Sequence, residues 1–301
     1  MKTEICVLCP YGIDPGLVSK ASALAPGAVR VVIPPRDAEK AARYGANLIH
    51  TVEDLPPDEG QVALWLKEKI LNWGSTVVLA PATVFMRNVM PRLAHHLKAG
   101  LTADCTQLQP EGEKLIQTRP AFGNSLMATI RTCSPIQMAT VRTGVFPPEE
   151  KKILNPTVSR EAFHLSEGSV TLRALLRDTE GAPLSQGSIV VAGGVGIGSR
   201  EGFQKLERLA NQWGGALAAT RGAVDAGFAP YACQVGMTGV TVCPKVYVAV
   251  GISGAVQHLA GMSGSEKVIA VNSDPKAPIF DYADLGIVAD WEPVIDQLLE
   301  E

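Results

Sequence analysis

The sequence predicts an α/β protein of two units, each a mainly parallel sheet with helices on its faces. Three observations carry that reading. The length of 301 residues exceeds one domain at roughly 150 residues apiece. Short apolar runs alternate with stretches of helical spacing in both halves, the signature of strand–helix–strand units. A content of 46% hydrophobic and 19% charged residues belongs to a chain that buries cores, not to a disordered one.

In chain order, residues 4–8, 29–33 and 76–79 read as buried strands. Residues 38–44, 61–73 and 88–98 have helical apolar spacing, the last stopped by Gly100. Beyond Gly100 the texture changes to turn-punctuated strand-like pieces at 105–109, 114–117, 127–131 and 137–142, expected to extend the sheet with non-parallel strands. Residues 147–160, with three prolines and the run Glu149, Glu150, Lys151, Lys152, read as an exposed connection. A strand is expected at 169–174 and a turn-rich linker at 178–187, which sets the boundary near residue 183 and the units at 1–183 and 184–301. The second unit opens with a strand at 188–192 and a helix at about 200–213 that Ser199 can cap. Further strands follow at 216–220, 245–250, 268–271 and 286–289.

Composition excludes several function classes. Lysine and arginine number 27 against 30 acidic residues, a net charge of -3, so no positive field exists to hold a nucleic acid. No run approaches 18 apolar residues, and the apolar stretch at 5–9 is too short for a secretory signal, so a soluble cytoplasmic protein without a membrane span is expected. Six cysteines are few for this length and suit a reducing compartment. Cys6 and Cys9 form a C-x-x-C pair, but inside a strand their side chains point to opposite faces, which suits packing and not chelation. His95 and His96 are neighbours about 100° apart on a helix, a poor metal pair. No metal site and no catalytic triad can be assembled.

The chemistry concentrates in the second half. The glycine-rich loop GGVGIGSREGF follows a strand and opens a helix, where backbone N–H groups can approach a phosphate. The dinucleotide fingerprint fails, because its third glycine position is Ser199. Other strand ends run into GISGAVQHLAG (251–261), Asn272-Ser273-Asp274-Pro275 and Asp290-Trp291, and QVGMTG (234–239) precedes a strand. Ligands in open parallel sheets bind at the carboxyl ends of strands, so several such loops favour a large nucleotide cofactor. Arg221 and His258 are placed to stabilise negative charge developing on a reduced flavin.

At these residues the sequence resembles the electron-transfer flavoprotein family, specifically its alpha subunit. The resemblance rests on RGAVDAGFAP (221–230), QVGMTG, GISGAVQHLAGM (251–262), NSDPKAPIF (272–280) and ADLGIVAD (283–290). In the first half it rests on GLTADC (100–105), TRPAFG (118–123) and QMATVRTGVF (137–146). It implies a nucleotide-binding-like α/β domain with added strands, followed by a parallel-sheet FAD-binding domain. It also implies a heterodimer with a beta subunit, in which FAD takes electrons from a dehydrogenase and passes them to a second redox partner. The alternative it leaves open is a bifurcating complex that oxidises NADH.

Carried over by motif, Arg221 sits against the isoalloxazine ring, Thr238 near its N5 edge and His258 at its N1/C2 edge. Gly254 and its neighbours Ser253, Ala255, Val256 and Gln257 approach the pyrophosphate, and Asn272 and Asp290 hold the adenosine portion. Gly194, Val195, Gly196, Thr220, Val235, Gly236, Met237 and Trp291 complete the implied FAD-binding set. Three positions depart from the family's usual pattern: Val195 where arginine is common, Met237 where glutamine is common, and Thr220 where serine is usual.

Overall fold

A computed structural model of the chain describes residues 4–53, 55–56, 58–121, 126–163, 184 and 188–300. They form two compact units. The expected strand at 169–174 and the boundary near 183 lie outside the described residues.

The first unit is built on a seven-stranded sheet. Its strands are β1 (Ile5–Leu8), β2 (Val29–Ile33), β3 (Leu48–Val52), β4 (Val77–Pro81), β5 (Gly100–Cys105), β9 (Gln137–Val141) and β10 (Thr157–Glu161). They lie in the order β10-β3-β2-β1-β4-β9-β5, and every pairing is parallel. Alternation along β1 divides the core. Ile5 and Val7 face one side with Leu17, Val18 and Ala21 of α1 (Pro15–Leu24) and Ala41 of α2 (Ala38–Arg43). Cys6 and Leu8 face the other, with Leu66 and Ile70 of α3 (Glu59–Trp73) and Val89, Met90 and Leu93 of α4 (Val84–Leu97). Cys6 and Cys9 accordingly fall in different core clusters, both buried and both free thiols. The helices begin where short polar side chains take an orphan N–H: Asp14 accepts from Leu17 at 3.0 Å, Asp58 from Gln61 at 3.0 Å and Thr83 from Met86 at 3.2 Å.

Two expectations for this unit need correction. The pieces after Gly100 do not simply extend the main sheet. Only β5 and β9 join it, in parallel, whereas β6 (Gln107–Glu111), β7 (Lys114–Ala121) and β8 (Leu126–Arg131) form a separate antiparallel sheet. The switch between sheets is made at a register break between Thr102 and Cys105, where Asp104 takes the left-handed φ of 62°. Thr157–Glu161, expected within or beside an exposed connection, is instead the edge strand β10. Its sequence is polar because side chains pin it: Glu161 meets His50 at 2.8 Å and Lys69, and the Trp65 indole donates to the Ala162 carbonyl at 3.2 Å.

The second unit is a five-stranded, wholly parallel sheet in the order β12-β11-β13-β14-β15. The strands are β11 (Ile189–Gly193), β12 (Ala216–Ala219), β13 (Val246–Val250), β14 (Lys267–Asn272) and β15 (Leu285–Val288). On one face α5 (Arg200–Gln212) and α8 (Trp291–Glu300) bury Phe203, Leu206, Leu209 and Ile295 against Val191, Val248 and Val271. Each such buried apolar side chain contributes about 2 kcal/mol. On the other face Leu259 and Met262 of α7 (Val256–Met262) pack with Tyr247, Val235 and Ile279. Ser199 caps α5 as expected, accepting from Gly202 at 3.0 Å. The short α6 (Arg221–Asp225) follows β12 directly and is capped by Thr220.

The Asp104 carboxylate sits between Arg142 and Arg87, accepting from each at 2.9 Å, and the Arg142 side chain is almost fully buried. Burial pushes this carboxyl up, but the Arg142 and Arg87 guanidiniums outweigh burial and hold it below the ordinary carboxylate range. Because the folded value lies below the unfolded one, the contribution is present above about pH 4 and is lost as pH falls through the folded value. Asp104→Asn, which strands the buried guanidinium, is expected to cost about 2 kcal/mol in urea unfolding at pH 7. The gap from wild type should narrow as pH is lowered through 4; a gap independent of pH would contradict the assignment.

Candidate functional site

In the second sheet the chain order reverses between β11 and β13, so the loops leaving their carboxyl ends diverge and open a crevice there. A cleft of about 850 Å³ occupies this position. A smaller groove of about 540 Å³ lies beside β12 with Arg200 and Glu207 in its wall, away from the switch-point loops.

The floor is made by two glycine loops packed backbone to backbone. Gly194 and Gly196 follow β11, Gly251 follows β13, and a Cβ on Gly194 would lie 2.0 Å from the Gly251 carbonyl oxygen. The N–H of Gly194 donates to Val250 and that of Gly196 to Gly251. The sequence expectation that this loop's glycines free N–H groups for a phosphate is therefore corrected at these two positions, whose donors are spent on the neighbouring loop. Free donors lie one loop further on. Among the described residues, the N–H groups of Ser253, Gly254 and Ala255 have no protein acceptor, and Gly254 is buried with a φ of 93°. A Cβ there would meet the Ile279 backbone nitrogen at 2.3 Å, so only glycine fits.

The walls come from two further strand ends and from a loop that precedes β13. Thr220, Arg221, Gly222 and Asp225 follow β12; Arg221 is largely exposed and reaches Asp225 at 3.4 Å, one helical turn on. Val235, Gly236, Met237 and Thr238 form a loop tied to α7 by the bond from the Met237 N–H to the Gln257 carbonyl, 2.7 Å. Buried Gln234 donates to the Thr238 hydroxyl at 3.0 Å, and the Tyr231 hydroxyl donates to the Thr238 carbonyl at 3.0 Å. Asn272 and Asp274 follow β14, with Ala277 and Pro278 beyond them. The Asn272 side chain is a clamp between loops, donating to Ile252 at 2.8 Å and accepting from Asp274 at 2.9 Å.

The structure gathers most of the residues implied by motif into this cleft: Gly194, Val195, Gly196, Thr220, Arg221, Val235, Gly236, Met237, Thr238, Ser253, Ala255, Gln257, His258 and Asn272 all line it. Four others stand outside its lining. The Trp291 ring packs on α5 within 3.0–3.2 Å of where a Gly202 Cβ would sit, a core role set by the start of α8. Asp290 accepts from the Glu292 N–H at 3.4 Å; Gly254 and Val256 lie in the turn into α7. Gly222, Asp225, Gly251, Ile252, Asp274, Ala277 and Pro278 also line the cleft and are not in the set that the resemblance implies. Asp225 had a local signal, since i,i+4 spacing brings it to Arg221, whereas Ala277 and Pro278 are brought in only by the return of the chain after β14.

His258 is buried, 6% exposed, and both ring nitrogens are engaged: Nδ1 lies 3.1 Å from the Val235 carbonyl and Nε2 3.0 Å from the Tyr247 hydroxyl. Burial pulls its pKa down to about 4, and the bond to Val235 only partly opposes this. Both ring nitrogens are thus taken by protein groups, and burial keeps the ring neutral.

A parallel sheet whose switch-point loops enclose a cleft of this size, with unpaired backbone donors and an exposed guanidinium at its edge, defines an α/β protein that binds a nucleotide cofactor. Residues 13–162 match the electron transfer flavoprotein domain, and residues 183–263 match the electron transfer flavoprotein FAD-binding domain. An electron transfer flavoprotein subunit alpha of Thermoanaerobacterium thermosaccharolyticum is 42% identical over 271 residues, covering 86% of this chain and 81% of that one. The subunit alpha of Clostridium acetobutylicum is 43% identical over 237 residues, 75% and 70% of the two chains. Protein FixB of Rhizobium meliloti is 43% identical over 277 residues, 86% and 76%. The chain belongs to the electron transfer flavoprotein family as an alpha subunit, and its cofactor is FAD.

The buried imidazole makes a pH prediction. Its folded pKa lies below its unfolded one, so the stability it contributes is whole above about pH 6.5 and is lost as pH falls toward 4. Between pH 7.5 and 5 this amounts to about 2 kcal/mol. His258→Gln should show a correspondingly smaller acid loss in paired denaturant titrations. Equal losses in the two proteins would mean that the ring titrates normally.

Proposed function

We propose that FAD lies in the cleft between β11 and β13, and that this chain, paired with a beta subunit in the cytoplasm, passes electrons from a dehydrogenase to a second redox partner. The observation that carries the placement is the pair of N–H groups at Ser253 and Ala255, which line the cleft and have no acceptor among the described residues, with the equally unpaired N–H of buried Gly254 between them. Three successive donors of this kind suit a pyrophosphate. When bound, FAD supplies one- and two-electron chemistry. The chain holds and tunes it: Arg221 places a permanent charge over the cleft, Thr238 offers a hydroxyl held by Gln234, and Asn272 keeps the two neighbouring loops in register. The corresponding crevice of the first sheet, between β1 and β4, is where Tyr11 and Phe85 meet edge to face with ring centroids 4.6 Å apart, which supports placing the cofactor in the second unit.

The rim departs from a polar pattern. Val195 and Met237 are both more than half exposed, and Val195 Cγ2 lies 2.7 Å from where a Cβ on Gly222 would sit, beside Arg221. This apolar rim is what favours the second reading, a bifurcating complex that oxidises NADH. The flavin count separates the two: one FAD per heterodimer supports simple transfer, and two FAD with NADH oxidation support bifurcation. Among the described residues no helix is long and apolar enough to cross a membrane.

The placement is tested by Arg221→Ala in the heterodimer. Loss of the fixed charge should lower the potential of bound FAD by a shift of the order of 60 mV, the one-electron equivalent of a tenfold change. Arg221→Lys should recover part of it, because the charge returns without the planar group. FAD that binds with unchanged potential in both variants would place the ring elsewhere.

A further inference from the structure

His258, which lines the cleft, belongs to a polar pair that the proposed electron transfer does not by itself require. Tyr247, in the middle of the sheet on β13, is fully buried, and its hydroxyl meets His258 Nε2 at 3.0 Å. Strands bury their side chains among apolar neighbours, and here those neighbours are Leu259, Met262 and Val235. A phenylalanine would fill that place without a polar atom to satisfy.

The chemistry of the two partners decides where the proton sits. A backbone carbonyl only accepts, so the Nδ1 that faces Val235 must carry the hydrogen. A neutral imidazole has one N–H, so Nε2 is the bare nitrogen and the Tyr247 hydroxyl donates to it. The hydroxyl is also the one kind of partner here that can reverse. If Nε2 takes a proton, it donates, and the same tyrosine oxygen accepts. A carbonyl at that position could not serve the neutral ring, and an ammonium could not serve the protonated one.

We propose that Tyr247 is a positioning residue for His258: its buried hydroxyl holds the imidazole as the Nδ1–H tautomer, and its oxygen can accept from Nε2 when that nitrogen is protonated, so that neither hydrogen bond is lost. This deepens the reading of the cleft as the FAD site and rests on it for its redox consequence. Negative charge arriving in the cleft is then met by Arg221 from the β12 end and by a proton on His258 from the floor, while Asp225 and Asp274 in the walls oppose it. Burial keeps the imidazole neutral until that charge arrives.

The test uses the heterodimer carrying histidine labelled with nitrogen-15 in this chain, first without FAD and then with it. In the native protein at neutral pH, His258 should show a protonated Nδ1 and an unprotonated, hydrogen-bonded Nε2. In Tyr247→Phe the Nε2 signal should move to that of a free imine nitrogen, and the protonation midpoint should fall further. An Nε2–H tautomer in the native protein overturns the proposal without need of any variant, as do identical His258 signals in native and Tyr247→Phe. With FAD bound, Tyr247→Phe should lower the flavin potential and flatten its dependence on pH. Altered nitrogen signals with an unchanged potential would overturn the redox half alone. That result is distinct from native heterodimer failing to bind FAD, which would overturn the reading of the cleft.

Discussion

The second unit depends on one close contact: the loops that leave β11 and β13 touch through bare backbone. Gly194 cannot carry a Cβ because the Gly251 carbonyl is in its place, and Gly194 and Gly196 give their N–H groups to Val250 and Gly251. The contact closes the bottom of the switch-point crevice and consumes two donors that would otherwise face a ligand. The donors left over are displaced to Ser253, Gly254 and Ala255, where the chain turns toward α7. A side chain at either glycine would push the two strand ends apart and with them the walls of the cleft.

The same topological rule operates in both sheets with opposite outcomes. Each reverses its strand order beside its first strand, so each has a crevice at the carboxyl ends of two parallel strands. In the first, residues after β1 and β4 are aromatic and meet edge to face, and the Tyr11 hydroxyl donates to the Pro56 carbonyl at 2.8 Å. In the second, the residues are small and an open volume of about 850 Å³ remains. Topology creates the opportunity for a site, and the size of a few loop side chains decides whether it is used.

Charge is handled by two different balances. Around Asp104 two guanidiniums outweigh burial, so the carboxylate stays ionised and pins a strained residue at the point where the chain passes between sheets. Around His258 burial wins, because its partners are a carbonyl and a hydroxyl without net charge, and the ring is neutral. Arg221 lies in solvent reach, where its charge costs little to keep. A fixed charge at the rim and a neutral, satisfied imidazole at the floor let one site hold a cofactor without burying an unpaired ion.

Apolar runs, capping residues and glycine-rich strand ends are local, and so the sequence alone determined the two α/β units, the parallel character of the second sheet and most of the cleft's loops. Ser199 as a cap, Cys6 and Cys9 on opposite faces, and Arg221 just beyond the end of a strand all follow from spacing along one segment. Pairing partners are not local, and only the tertiary structure decided them. Thr157–Glu161 is polar because its contacts are with His50, Lys69 and Thr51 on elements about a hundred residues away. The strands β6 to β8 leave the main sheet where Asp104 turns the backbone into the left-handed region, which aspartate adopts more readily than most residues, and two arginines hold its carboxylate there. Trp291 reads as a site residue beside Asp290, yet its large apolar ring finds a better place against α5. The partners of His258, one a strand tyrosine and the other a loop carbonyl, meet only when β13, α7 and the loop at 235 are packed together. Hydrogen bonding in a core is settled by which groups are within 3 Å, and that distance exists only in the folded chain.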